Sequence, residues 1–141
     1  MSADRDDVGF LLALASRRWN GILERRFSEA GFPEIRASYG ALLVPLIEED
    51  GLRMSELARR ARLSKQTLTT MARLLERDGL IRREADVDDA RATRIFLTKR
   101  ARRFQPVADA VLRELDADVV RTLGRARAAQ LKGSLAALVS Q

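Results

Sequence analysis

Between Met54 and Thr98 the chain reads MSELARRARLSKQTLTTMARLLERDGLIRREADVDDARATRIFLT, and the order of spacings in that stretch leaves few folds open. Leu57, Ala58 and Ala61 recur at helical spacing, and beyond a turn at Leu63 so do Leu68, Met71, Ala72 and Leu75. Leu80 to Glu84 and Thr93 to Leu97 then alternate as strands, with Ile95 and Leu97 on one side and Arg94 and Phe96 on the other. The charged loop ADVDDARA joins them. Two short helices across a tight turn, followed by a hairpin, make a winged helix-turn-helix.

The boundary signals agree with that order. Ser55 is the expected N-cap of the first helix, with Glu56 in its first turn. Ser64 is the expected N-cap of the second, which runs from Lys65 to Asp78. Thr67 stands where a full capping box has Glu or Gln. Gly79 closes this helix, and Leu52 to Met54 is short enough to be a minor third strand.

The flanks are helical. Leu11, Leu12, Ala15, Trp19, Ile22, Leu23 and Phe27 share one helix face, which should end near Ala30-Gly31. A helix from Ile35 to Glu49 should bury Tyr39, Leu42, Leu43, Leu46 and Ile47. Pro45 inside it predicts a kink or break near Ala41 to Val44. Val107, Val111, Leu112, Leu115, Val119 and Leu123 mark a long helix after Lys99, bent or delayed by Pro106, and Leu131, Leu135 and Leu138 mark a last one. Residues 1–7 are polar and expected to fray. The expected class is mainly α (α+β).

Charge separates along the chain. Residues 1–52 hold 6 basic and 9 acidic side chains, residues 53–103 hold 15 and 7, and residues 104–141 hold 5 and 4. The +6 excess is thus concentrated in the helix-turn-helix segment, the distribution expected of a polyanion binder. No cysteine or histidine is present, which excludes disulfides, thiolate or imidazole metal ligands, a cysteine nucleophile and a histidine base. No cofactor is implied, and an enzyme is not expected. The longest apolar run, Phe10 to Ala15, is too short to span a bilayer, and Asp4, Asp6 and Asp7 before it are wrong for a signal peptide. A cytoplasmic protein without membrane contact is expected.

With Leu68, Met71, Ala72 and Leu75 facing inward, the Lys65 helix presents Lys65, Gln66, Thr67, Thr69, Thr70, Arg73 and Arg77 outward. Solvated helix faces usually mix both signs in i,i+4 pairs; this one has no acid in its first three turns. Gln can read adenine, Arg and Lys guanine, and Thr a thymine methyl. In the loop, Asp86, Asp88 and Asp89 lack the glycine and distal glutamate of a calcium loop. A wing with Arg91 at its tip, entering a minor groove, fits better. Asp89 would hold Arg91 extended by an ion pair, and Arg94 would touch the neighbouring backbone. The other reading of the loop is a solvated hairpin. The alternative for the whole chain is a winged-helix protein–protein interaction module. It would need an apolar patch on the Lys65 helix, where the sequence is polar.

The segments SELARRARLSKQTLTTMARLLERDGLIRRE and DDARATRIFLT resemble the MarR family of bacterial transcription regulators. The resemblance covers nearly the whole chain, including Asp89 and Arg91 in the family's Asp-x-Arg wing pattern and the pair Leu97-Thr98. It implies a homodimer. Residues 1–34 and 99–141 would form a helical dimerisation region, and 35–98 the DNA-binding lobe. It implies a pseudo-palindromic duplex site. Ser64, Gln66, Thr67, Thr70 and Arg73 would face bases or phosphates, and Arg91 the minor groove. It also implies a repressor released by a small aromatic or lipophilic effector, for which Arg17, Trp19 and Tyr39 are candidate lining residues. For Trp19 the first reading is core or interface packing, and an effector contact is the second. Thr70, Arg100-Ala101 and Pro45 depart from the family pattern.

Overall fold

A computed structural model describes residues 6–141. The expectation that residues 1–7 fray falls mostly outside them, but Asp7 is described. Its carboxylate accepts the Phe10 N–H at 2.9 Å and caps the first helix, α1, Val8–Glu29. The chain packs as two compact units, residues 1–107 and 108–141.

In the first unit α1 is followed by a 3-10 turn, Ala37–Tyr39, and by α2, Gly40–Glu48. Next come β1 (Leu52–Arg53), α3 (Met54–Ala61), α4 (Lys65–Arg77), β2 (Ile81–Ala85) and β3 (Thr93–Leu97). The helix α5, Lys99–Leu123, starts in this unit and ends in the second, which also holds α6, Arg125–Val139. The three strands form one antiparallel sheet in the order β1-β3-β2, with Leu52 opposite Ile95 and Ile81 opposite Leu97. Leu42, Leu46, Leu57, Leu68, Leu75, Leu80 and Ile95 are fully buried and form the core between helices and sheet. At the edge of this core Phe104 meets Phe27 and Phe32 edge-on, with centroids at 4.7 and 5.2 Å.

Four boundary expectations need correction. The irregularity ascribed to Pro45 is not at Ala41 to Val44. The helix is continuous from Gly40 to Glu48, and the 3-10 turn precedes it. Ile47 is exposed, because Leu42, Leu43, Pro45 and Leu46 already fill the inward face. Ser55 is not an N-cap. The strand β1 runs directly into α3, so Arg53 holds the cap position in extended backbone and caps with no side-chain bond. Glu56 instead accepts from Arg59 and Arg60, whose guanidinium groups hold its carboxyl down to about 2. Pro106 does not interrupt α5.

Gly51 makes the sharpest turn into the sheet. Its φ is +73°, and a Cβ there would stand 2.8 Å from the Phe96 ring. That ring is also stacked under the Arg82 guanidinium at 4.7 Å. Gly51→Ala is therefore expected to cost about 1–3 kcal/mol from left-handed backbone strain plus displacement of the ring. A lowered urea midpoint at unchanged slope would show it.

Candidate functional site

The site is assembled around α4. Ser64, in extended backbone, accepts the Thr67 N–H at 3.1 Å and donates its hydroxyl to Thr67 Oγ1 at 2.8 Å. Only the Ser64 half of a capping box is made, and threonine in place of glutamate keeps the helix start free of negative charge. The helix buries Leu68, Ala72 and Leu75 and half-buries Met71. Lys65, Gln66, Thr67, Thr70 and Arg73 are exposed together, and Thr69 is half-buried. Thr69 and Thr70 donate their hydroxyls to the carbonyls of Lys65 and Gln66 at 2.8 and 3.1 Å. This fixes their rotamers. Lys65, Gln66 and Arg73 have no side-chain partner among the described residues. The lone acid of the helix, Glu76, lies in its last turn beside Arg83.

The far end of α4 is tied to the chain before α2. Tyr39, with its ring buried, donates its hydroxyl to Asp78 Oδ2 at 2.6 Å. Burial, then the Asp78 carboxylate, push the phenol up to about 12. Arg77, then the Tyr39 hydroxyl, hold the Asp78 carboxyl below its usual range. A groove of about 320 Å³ lies along this seam, with Ser38 and Tyr39 on one wall and Gln66, Thr67, Thr70 and Met71 on the other.

The wing is held at its base by a group that local sequence did not single out. Asp86 is 4% exposed, and its Oδ2 accepts from Arg53 Nε at 2.5 Å and Arg94 Nε at 3.1 Å. Its Oδ1 accepts the Asp88 N–H at 2.9 Å. That backbone donor and Arg53 lower its carboxyl from the usual aspartate range. Arg94 also donates to the Gly51 carbonyl at 2.8 Å, so its guanidinium is engaged at the base of the sheet. The expected Asp89–Arg91 ion pair is replaced by a backbone contact. Asp89 Oδ1 accepts the Arg91 N–H at 3.0 Å, a short Asx turn that shapes the loop tip. The Arg91 guanidinium is exposed and unpartnered among the described residues.

The three candidate effector residues are not gathered. Tyr39 is in the α4 groove. Arg17 lies in a separate shallow cleft of about 290 Å³ with Arg18, Gly21 and Arg25, and Trp19 lines neither. Arg17 and Trp19, two positions apart on α1, point to different sides of that helix.

A family model for MarR matches residues 38–93, the span from this 3-10 turn to the start of β3. The HTH-type transcriptional repressor Rv2887 of Mycobacterium tuberculosis is 36% identical over 95 residues, which is 67% of this chain and 68% of the relative. The chain belongs to the MarR family. A probable transcriptional regulator from Pseudomonas aeruginosa has the same fold at 27% identity and a TM-score of 0.78, over 94% of this chain and 97% of that one. The M. tuberculosis regulator MOSR, solved in complex with DNA, matches at 26% identity and a TM-score of 0.70, over 96% and 97%. This MarR-family chain is thus a transcription regulator and not an enzyme. No helix among its described residues is long and apolar enough to cross a membrane.

Proposed function

We propose that the protein is a cytoplasmic, homodimeric, sequence-specific DNA-binding repressor. The reading helix α4 enters the major groove, and Arg91 of the wing enters the adjacent minor groove. Residues 35–98 form the DNA-binding lobe, and residues 1–34 with 99–141 form the dimerisation region. The observation that carries this reading is the face of α4. One side is fully buried, while the other exposes Lys65, Gln66, Thr67, Thr70 and Arg73 with no acid among them.

Dimerisation is supported by apolar side chains left open on two helices. Leu11, Leu12 and Leu14 are exposed on α1, and Leu131, Leu135 and Leu138 on α6. Surface of that kind needs a partner. Repression is supported by the naming of the relatives, and DNA as the partner by MOSR. An aromatic or lipophilic effector would act by changing the separation of the two reading helices, which must match half-sites about 34 Å apart.

Selection of bound duplex from a random pool tests the whole reading. The expected product is a pseudo-palindrome with half-sites one turn apart. Affinity for it should fall with salt by about 0.9 log units per log unit of salt for each phosphate neutralised. An affinity flat across salt, or a selected pool without symmetry, would overturn the proposal.

A further inference from the structure

The groove between the 3-10 turn and α4 shares its wall with the residues assigned to base reading. Gln66, Thr67 and Thr70 line it from one side and Ser38 from the other. An α-helix with its side chains is about 10–12 Å across. The major groove is about 12 Å wide. A helix seated there has a sugar–phosphate ridge along each flank. Whatever part of the protein stands directly beside the base-reading side chains must therefore meet a ridge.

The chemistry of the groove suits a strand of backbone. Met71 and Leu74 add apolar lining that suits deoxyribose carbons. Ser38 is exposed at its rim, and its hydroxyl has no partner among the described residues. Its position relative to α4 is also fixed. The next residue, Tyr39, has its ring in the core and its hydroxyl on Asp78 at 2.6 Å. A donor held this firmly loses little freedom on binding.

We propose that Ser38 is a DNA-backbone contact, donating its hydroxyl to a phosphate oxygen on the ridge beside α4. The contact rests on the placement of α4 in the major groove. It adds affinity and fixes the depth of the helix without reading sequence, as phosphate contacts do.

The test is a double-mutant cycle on the full dimer and its selected operator. Ser38→Ala should weaken binding about tenfold per half-site, the scale of a hydrogen bond to a charged group, and so about a hundredfold for the dimer, with base preference unchanged. Ser38→Thr, which keeps the hydroxyl, should restore affinity. Replacing operator phosphates one at a time with neutral methylphosphonate should reveal one position in each half-site that costs the parent protein affinity and costs Ser38→Ala nothing. Full additivity at every phosphate, or parent affinity in Ser38→Ala, overturns the contact. Gln66→Ala separates the two levels. If it shifts base preference while Ser38→Ala is silent, the Ser38 contact alone fails. If Gln66→Ala leaves preference unchanged, the placement of α4 fails, and the contact fails with it.

Discussion

Leu68→Ala is expected to remove about 2–5 kcal/mol of stability, the range for truncating a fully buried leucine. Leu68 is 0% exposed and sits on α4 between Thr67 and Thr69, directly beneath the proposed base-reading residues. Its loss leaves a cavity at the joint where α4 meets the rest of the core. A domain of this size holds about 5–15 kcal/mol in total, so the variant should spend much of that margin. Thr69→Ala is the control. Its hydroxyl only returns to the Lys65 carbonyl of the same helix, so its loss should cost a few tenths of a kcal/mol to about 1. Urea unfolding followed by circular dichroism gives both midpoints. A Leu68→Ala midpoint equal to that of Thr69→Ala would mean that this residue does not anchor the helix.

The same helix shows what could be learned from sequence and what could not. The apolar positions Leu68, Ala72 and Leu75 repeat at helical spacing, and Ser64 and Gly79 mark the ends, so α4 was legible to within one residue. The strand β3 was legible because Ile95 and Leu97 alternate with Arg94 and Phe96. Alternation states a direction and not a partner. It put Arg94 opposite Ile95 but gave no sign of a buried carboxylate eight positions earlier. Among Asp86, Asp88 and Asp89 nothing local distinguishes the one that turns inward. Only the sheet, by bringing Arg53 and Arg94 together through the β1-β3 pairing, selects Asp86. The α3 boundary was hidden for a related reason. A two-residue strand has no period, so Ser55 looked like the start of a helix that begins at Met54. On α1 the apolar stripe was visible along its length, yet Leu23 and Phe27 are buried in the chain while Leu11 and Leu12 are open. Periodicity cannot say whether a face is covered by the same chain or by another.

The wing gives the largest expected effect on DNA binding. Arg91→Ala should weaken binding to the selected operator by roughly a hundredfold to ten-thousandfold. Each arginine contributes one charge-assisted contact of about 1.5–3 kcal/mol, and a dimer carries two. The loop would keep its shape, since the Arg91 side chain takes no part in making it. Asp89 accepts the Arg91 and Ala92 N–H groups, and Asp86 donates its N–H to the Ala92 carbonyl. Arg91→Ala should therefore leave the unfolding midpoint unchanged, so that the whole loss is assigned to the interface. Arg94→Ala should behave oppositely. It strips Asp86 of one of its two guanidinium partners and the Gly51 carbonyl of its donor, so it should lower stability first and affinity through it. Operators that differ only by an A-tract outside the major-groove half-site sharpen the comparison, because a narrow minor groove attracts arginine. The parent protein should prefer the A-tract version, and Arg91→Ala should bind both alike. If Arg91→Ala keeps both the affinity and the preference, the wing does not enter the duplex, and the contact surface shrinks to α4 and its flanks.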